Sequence, residues 1–368
     1  MKKLVHTPDG VRDIYGEEFL RKIYIENKVK SVIHSYGYED IQTPTFEYFD
    51  VFSKEIGTTP SKELYKFFDK DGDTLCLRPD FTPSVARCVA KYFDERKDSI
   101  RLTYSGNTFI NNSSLQGKLK EATEVGCELM NDSSVEADAE MINLVIETLL
   151  ASGLNNFQIS VGEMNFFKGL CEEAGINEDD ELTLREAISS KNSFTATEMI
   201  KALDCKEDVK NQLLQCVSCI GGVEMILAMK SKVFNNRSRE ALERLEKLIN
   251  ILKVYGNEKY VTFDLGILSK YNYYTGIVFK AYTYGIGDAL VKGGRYDNLL
   301  ESFGSSKPAI GFMVVIDDLL MALRGQHIEV PVNNDKYICE YDDTNFEEMV
   351  AKAQKMRKEG KAVSLVRK

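Results

Sequence analysis

The segment Leu77-Arg78-Pro79-Asp80-Phe81-Thr82-Pro83 begins inside one of three strands predicted in the N-terminal half of the chain and continues beyond its end. The three candidates are Thr74–Pro79, Ile100–Ile110 and Ala122–Met130, and Gly, Pro, Asn or Asp residues bound each of them. In the second candidate, Ile100, Leu102 and Tyr104 alternate with other side chains, which is typical of a strand that buries one face. The pattern therefore predicts a sheet in this part of the chain.

Helices and further strands surround these three candidates. Helical recurrence of apolar residues predicts helices over Glu18–Tyr36, Val135–Ala151, Val314–Arg324 and Phe346–Glu359. Extended stretches are predicted at Tyr38–Pro44, Phe157–Val161, Tyr260–Leu265, Tyr273–Tyr282, Lys336–Tyr341 and Ala362–Val366. The chain is therefore of the α+β class.

The composition and the predicted helices and strands divide the chain into four segments. Residues 1–164 and 255–330 carry the strands, and we expect them to be two parts of one core. Residues 165–254 consist of charged helical windows that contain Leu and Ala, which predicts an inserted helical subdomain. Residues 335–368 read as a small or truncated β-α-β segment, too short to bury a core of its own.

Composition excludes several classes of protein. The 57 acidic and 47 basic residues give a formal charge of -10, which disfavours nucleic acid as a partner. There is no apolar leader or stretch long enough to span a membrane. The eight cysteines are scattered in apolar segments, which predicts reduced thiols in a cytoplasmic protein. The Cys216/Cys219 pair stands alone, so we expect no metal site and no cofactor.

Five blocks of sequence resemble the histidyl-tRNA synthetase family of class II aminoacyl-tRNA synthetases. Gly37-Tyr38-Glu39-Asp40-Ile41-Gln42-Thr43-Pro44-Thr45-Phe46-Glu47 resembles motif 1, and Leu77–Thr82 resembles the family's Leu-Arg-Pro-Glu-x-Thr. Gly117–Glu128 aligns with the strand after motif 2, while Tyr273–Phe279 and Gly293-Gly294-Arg295-Tyr296-Asp297 are similar to two further signatures. The blocks occur in family order, and the resemblance implies an antiparallel sheet flanked by helices, with a helical insertion.

The same alignment shows departures where that family binds ATP. The Phe-Arg-x-Glu-Arg of motif 2 falls on Phe109–Ser113, so Ile110 and Asn112 replace its first arginine and its glutamate. An arginine forms bidentate, charge-assisted bonds to a phosphate, and isoleucine does not. Losing one such donor typically costs about 3 to 4 kcal/mol of transition-state stabilisation.

Motif 3 departs further. Its Gly-x-Glu-Arg falls on Val315-Ile316-Asp317-Asp318, so Asp318 places a negative charge where the family has an arginine. The arginine of a third loop becomes Ser269, with Lys270 beside it as a substitute positive charge. The resemblance therefore implies a protein without catalytic residues for amino-acid activation.

The positions that match the family's amino-acid pocket keep hydrogen-bonding groups. Those that the resemblance assigns to the histidine ligand are Asp80, Thr82 and Glu124 for the ammonium group, and Glu128, Tyr273, Tyr274 and Tyr296 near the imidazole. Carboxylates suit an ammonium group, and a carboxylate with a phenol suits imidazole N–H groups. Periodicity alone favours a structural interpretation, with the two glutamates on the polar face of a half-buried strand and the tyrosines as core aromatics, and the family resemblance reverses that preference.

A histidyl-tRNA synthetase-like chain that keeps the histidine pocket but lacks the ATP arginines resembles the regulatory subunits of ATP phosphoribosyltransferase. That resemblance implies a homodimer within a hetero-oligomer, a short-form catalytic subunit as partner, and L-histidine as the allosteric ligand of the first step of histidine biosynthesis. Two alternatives stay open. One is a divergent enzyme that activates an amino acid, and the other is a histidine-binding domain that controls a different partner.

Overall fold

A computed structural model describes residues 5–53, 59–112, 119–269, 273–332 and 335–368. The helices of these residues are α1 (Gly16–Ser35), α2 (Thr82–Tyr92), α3 (Val135–Ala151), α4 (Met164–Glu173), α5 (Glu178–Ser189), α6 (Ser193–Ala202), α7 (Glu207–Ser218), α8 (Val223–Lys230), α9 (Asn236–Tyr255), α10 (Ile316–Gly325) and α11 (Phe346–Lys358). The strands are β1 (Glu39–Asp40), β2 (Phe46–Tyr48), β3 (Lys66–Phe68), β4 (Thr74–Leu77), β5 (Ile100–Phe109), β6 (Glu121–Met130), β7 (Phe157–Glu163), β8 (Ile220–Gly221), β9 (Val261–Asp264), β10 (Ile277–Thr283), β11 (Val291–Arg295), β12 (Ala309–Val315), β13 (Lys336–Tyr341) and β14 (Ala362–Arg367).

A nine-stranded sheet is the centre of the fold. Its strand order is β1-β5-β6-β12-β11-β10-β7-β9-β8, and only the β1–β5 and β7–β9 pairs among these strands are parallel. The predicted fold class, an antiparallel sheet flanked by helices, is therefore confirmed. A second sheet of the order β2-β4-β3 precedes α2, so the chain leaves β4 and enters α2 within a few residues.

The register of the β5–β6 pair determines which side chains lie together on one face of the sheet. Leu102 pairs with Glu128, Tyr104 with Gly126, and Gly106 with Glu124. Because successive side chains of a strand point to opposite faces, Glu124 and Glu128 lie on the same face of β6. On the other side of β6, strand β12 places Gly311 directly opposite Glu128.

The residues cluster into two compact units. The first contains Met1–Asp13 and Ile25–Glu329, and the second contains Ile14–Tyr24 and Val330–Lys368. In the second unit, β13 and β14 pair in parallel and α11 joins them along the chain. In the first unit, residues 165–254 contribute helices α5 to α9 and most of α4. The four-segment division of the sequence stays a prediction. No helix among the described residues has the length and apolarity to cross a membrane.

Strand β12 corrects the predicted helix Val314–Arg324. Val314 and Val315 end the strand, and α10 begins at Ile316. The apolar run from Ala309 onward has no polar break, and periodicity alone does not separate a buried strand from a buried helix. The strand predicted over Tyr273–Tyr282 similarly begins only at Ile277, which leaves its two tyrosines in the connection that precedes β10.

Candidate ligand-binding site

A cavity of about 520 Å³ opens over the face of the sheet that carries Glu124. Six of the seven residues assigned to the histidine ligand line it, namely Asp80, Thr82, Glu124, Tyr273, Tyr274 and Tyr296. The seventh, Glu128, lies directly behind three lining residues and accepts hydrogen bonds from them. The structure therefore brings all seven residues together, although they come from four separate segments of the chain.

The Glu128 carboxylate is the most enclosed group of the site, with 1% of the residue exposed. Thr82 Oγ1 donates to its Oε1 at 2.8 Å, and Tyr104 Oη donates to the same oxygen at 3.3 Å. Tyr296 Oη donates a short hydrogen bond to Oε2. Burial raises the pKa of Glu128 to about 8, and the three hydroxyl groups oppose that rise. The three hydrogen bonds thus hold the carboxyl group in one orientation.

Glycine at position 311 makes room for this carboxylate. A Cβ atom at position 311 would overlap Glu128 Oε2 and would lie 2.8 Å from the Cys127 carbonyl oxygen. Glycine is the residue that permits such a close approach of backbone to a buried side chain. The position of the Glu128 carboxylate therefore depends on the pairing of β6 with β12 at Gly311.

Asp80 and Thr82 enter the site from the start of α2. Asp80 Oδ1 accepts a hydrogen bond from the Thr82 backbone N–H at 3.0 Å, which fixes the turn between β4 and the helix. The turn points the Thr82 hydroxyl at Glu128, and Asp80 lines the cavity. Arg78 supports this turn from behind, because its Nε donates to the Asn107 carbonyl at 2.8 Å and its guanidinium group stacks on the ring of Phe81, the residue that directly precedes α2.

Glu124 is a second buried carboxylate on the same face of β6, with 5% of the residue exposed. Thr108 Oγ1 donates to its Oε1 at 3.0 Å. Burial and the nearby charge of Asp80 raise the pKa of Glu124 to about 8, against the opposing effects of Thr108 and Lys292. The two carboxylates and Asp80 make this end of the cavity acidic, which favours a cationic group there.

Aromatic rings form the remaining wall of the acidic end. The Tyr273 and Tyr274 rings lie 4.2 Å apart between centroids, and Tyr273 meets Tyr296 edge to face at 5.8 Å. Phe81 and Tyr104 stack at 4.4 Å on the side of α2. Such a wall suits a planar ring, because aromatic rings pair favourably in stacked and edge-to-face geometry.

The positions that match the ATP residues do not supply positive charge. Ile110 lines the cavity with an apolar side chain, and Asn112 donates to the Leu119 carbonyl oxygen at 3.3 Å. Asp317 accepts a hydrogen bond from the Thr123 backbone N–H at 2.8 Å, and Asp318 beside it lies in the first turn of α10. Acidic residues at a helix N-terminus are stabilised by the helix dipole. Ser113 and Lys270 lie outside the described residues.

The arginine of the Gly293–Asp297 block has a structural role. Arg295 is 2% exposed, and its Nε donates to Asp138 Oδ1 at 2.8 Å. Its other nitrogens reach Asp297 at 3.0 Å and the Asp132 carbonyl at 3.0 Å. Arg244 of α9 donates to the second oxygen of Asp138 at 2.6 Å. This buried network joins α3, α9 and β11 and holds the segment from which Tyr296 enters the cavity.

Two lysines of the cavity wall were missed by the sequence interpretation. Lys280 of β10 and Lys292 of β11 are direct cross-strand partners, and both line the cavity. Neither belongs to a motif that carries the resemblance. The signal that identifies them is their register across the β10–β11 pair, which the sequence alone does not give.

Comparisons with known proteins agree with the motifs. The chain matches the family model described as histidyl-tRNA synthetase over residues 10–319. It is 38% identical, over 98% of its length, to an ATP phosphoribosyltransferase regulatory subunit of Acetivibrio thermocellus, of which it covers 86%. It is 40% identical, over 96% of its length, to one of Ruminiclostridium cellulolyticum, of which it covers 85%.

Solved structures show the same fold. A crystal structure from Bacillus halodurans, described as an ATP phosphoribosyltransferase regulatory subunit/histidyl-tRNA synthetase, superposes with a TM-score of 0.90 and 32% identity over 100% of this chain and 94% of that one. The histidyl-tRNA synthetase of Nostoc sp. PCC 7120 gives a TM-score of 0.81 at 19% identity over 99% and 86% of the two chains, which supports the fold alone. The resemblance to class II synthetases is thus confirmed. The chain belongs to the family of ATP phosphoribosyltransferase regulatory subunits, which share the histidyl-tRNA synthetase fold.

Proposed function

We propose that this chain is a non-catalytic regulatory subunit that binds L-histidine and controls a short-form ATP phosphoribosyltransferase catalytic subunit. The observation that carries the proposal is the Glu128 carboxylate, held by Thr82, Tyr104 and Tyr296 at the acidic end of the cavity. The names of the relatives at 38% and 40% identity support the regulatory part.

Histidine fits this end of the cavity by charge and by shape. Its ammonium group is complementary to Asp80 and Glu124, because anionic oxygens accept from an ammonium group without a competing donor. Its imidazole is complementary to the carboxylate of Glu128 and to the rings of Tyr273 and Tyr274. In this proposal the hydroxyl groups that hold Glu128 set its orientation, and the aromatic wall selects a planar side chain.

The absence of catalysis in this proposal rests on charge. Amino-acid activation moves negative charge onto the α-phosphate, and preorganised positive groups stabilise that charge. Ile110 faces the cavity where the family has an arginine, and Asp317 and Asp318 begin α10 where motif 3 has its Glu-Arg pair. The alternative, a divergent amino-acid-activating enzyme, requires positive groups at those positions.

Regulation requires that histidine bind one quaternary state of the hetero-oligomer better than another, because a ligand shifts an equilibrium only by its differential affinity. We propose a homodimer of this chain within that hetero-oligomer.

A cytoplasmic location is part of the proposal, because the eight cysteines are free thiols, as is usual in a reducing compartment.

Two measurements test the site and the lack of catalysis. Calorimetric titration of the purified protein with L-histidine is expected to show saturable binding, with no heat of binding for L-leucine of similar size. Histidine-dependent ATP–pyrophosphate exchange is expected to stay at the level of a protein-free control. Exchange well above that level would refute the non-catalytic part of the proposal, and identical titrations with the two amino acids would refute the histidine site.

A further inference from the structure

The cavity continues beyond its acidic end to a part of the wall that carries the opposite charge. Lys280 and Lys292 are paired residues of β10 and β11, and both line the cavity. Like charges directly opposite each other on a sheet destabilise the pair. Two lysines paired across neighbouring strands in the wall of one cavity repel each other, and a bound anion would relieve that repulsion.

The surrounding residues only partly neutralise this pair. Lys292 Nζ donates to Asp288 Oδ2 at 3.3 Å, whereas no hydrogen-bond acceptor in the described part of the chain contacts the Lys280 ammonium group. Burial and the neighbouring charge of Lys292 lower the pKa of Lys280. The charge of a third lysine, Lys191, also lowers the pKa of Lys280. Lys191 Nζ itself pairs with Asp264 Oδ2 at 2.9 Å.

The acidic and basic ends of the cavity adjoin each other, since the charge of Lys292 acts on Glu124 as well as on Lys280. The charges that act on Lys280 come from Lys292, Asp288, Lys191 and Asp264, and none of them is a residue of the proposed histidine site. The cavity volume of about 520 Å³ falls in the range typical of drug-sized ligands, roughly 300 to 1,000 Å³. A single amino acid is smaller than such ligands, so space remains beside the histidine subsite.

We infer that Lys280 and Lys292 form a second subsite, which binds an anion of the phosphate class in the same cavity as histidine. A phosphate group carries up to about two negative charges near neutral pH, which matches two ammonium groups better than a single carboxylate does. Lysine binds phosphate as a point charge and needs no bidentate geometry. The inference deepens the proposed function by adding a ligand to the same cavity, but its test does not require histidine.

Calorimetric titration of the full chain with inorganic pyrophosphate, in a buffer free of phosphate, tests the subsite. Wild-type protein is expected to bind pyrophosphate saturably. Lys280→Gln and Lys292→Gln are each expected to weaken that binding about tenfold or more, since each removes one charge-assisted contact. Lys352→Gln is the matched control, because Lys352 is an exposed lysine of α11 that does not line the cavity. The Lys352→Gln protein is expected to bind pyrophosphate with the affinity of the wild type.

Parallel titrations with L-histidine and histamine separate the two proposals. Histidine affinity is expected to stay within about twofold of wild type in Lys280→Gln. Lys292→Gln is expected to lose a little affinity for histidine and for histamine alike, because Lys292 lowers the pKa of Glu124. If pyrophosphate does not bind the wild type, or if Lys352→Gln loses as much affinity as the cavity variants, the subsite is refuted. It is equally refuted if the cavity variants lose affinity for histidine but not for histamine, because the lysines then hold the amino acid's own carboxylate. Lysine-dependent pyrophosphate binding without any histidine binding would support the subsite and refute the histidine site.

Discussion

Glu128 is the residue on which the proposed histidine site depends most. Its carboxylate is buried and accepts hydrogen bonds from Thr82, Tyr104 and Tyr296. The residue either binds the imidazole of the ligand or only satisfies these three hydroxyl groups, and the two roles predict different effects of substitution. If it binds imidazole, Glu128→Gln is expected to weaken L-histidine binding by about tenfold or more, because a glutamine amide cannot ionise to become a charged acceptor for the imidazole N–H. Calorimetry measures this change. If the residue only satisfies its three hydroxyl partners, the substitution changes thermal stability and leaves histidine affinity unchanged.

Gly311 gives an independent test of the same carboxylate. In Gly311→Ala the new methyl group overlaps Glu128 Oε2, so the carboxylate must move and histidine binding is expected to be lost. The overpacking is expected to cost about 1 to 3 kcal/mol of unfolding free energy, measured by urea denaturation. Gly287→Ala is the control, since a Cβ there meets open space. Normal histidine affinity in Gly311→Ala would show that the position of Glu128 is not critical.

The raised pKa of Glu124 predicts a pH dependence of binding. With its pKa near 8, Glu124 is mostly protonated at pH 7 in the free protein, whereas the histidine ammonium group favours its ionised form. Binding should therefore release a proton, and affinity should rise between pH 7 and pH 8 and then level off. Titration at pH 7 in buffers of different ionisation enthalpy measures the proton release. Glu124→Gln is expected to reduce the proton release without abolishing it, because Glu128 also has a pKa near 8, and a wild-type protein that releases no proton would contradict the assignment.

At the scale of elements, the ion network around Asp138 positions the site. Asp138 of α3 is fully buried and bonds to Arg295 of β11 and to Arg244 of α9. Asp138→Ala removes the buried carboxylate that Arg295 and Arg244 share and leaves Arg295 with Asp297 as its remaining carboxylate partner, which is expected to cost about 3 kcal/mol of unfolding free energy. The exposed pair Asp343–Arg367 is the control, for which Asp343→Ala should cost at most about 1 kcal/mol. Equal losses in urea denaturation would contradict a structural role for the network.

Elements with a clear local pattern were predictable from the sequence. Strand β5 shows alternating apolar residues, and α3 has Ser134 as its N-cap, whose Oγ accepts from the Ala137 N–H at 3.1 Å. Strand β12 was not predicted, because a continuous apolar run carries no period that separates strand from helix. The Lys280–Lys292 pair was not predictable either, since it depends on the register of two strands rather than on a motif.

The site was predictable to the extent that motifs mark it. The motif positions Thr82, Glu128 and Tyr296 meet by hydrogen bonds in the structure. Tyr104, which also donates to Glu128, was identified only as part of an alternating strand. Its role depends on the β5–β6 register and on Gly126 opposite it, and these are properties of the folded sheet.

At the scale of the whole molecule, the proposal joins one cavity to control of a partner enzyme. The chain shares its fold with histidyl-tRNA synthetases and its family with regulatory subunits. The sequence resemblance assigns Ile110 and Asp318 to positions where those synthetases have arginines, and the residues that it assigns to the amino-acid pocket lie together in the structure. A pocket that binds an amino acid without activating it is suited to sensing the concentration of that amino acid.

The activity of the short-form ATP phosphoribosyltransferase catalytic subunit from the same organism, assayed with and without this chain, tests that claim most directly. We expect the catalytic subunit to gain activity on addition of the chain and to be inhibited by L-histidine in the mixture. With Glu128→Gln, activation should persist while histidine inhibition requires about tenfold more histidine or more. A catalytic subunit whose activity does not respond to the chain, or whose histidine inhibition is unchanged by Glu128→Gln, would contradict the account.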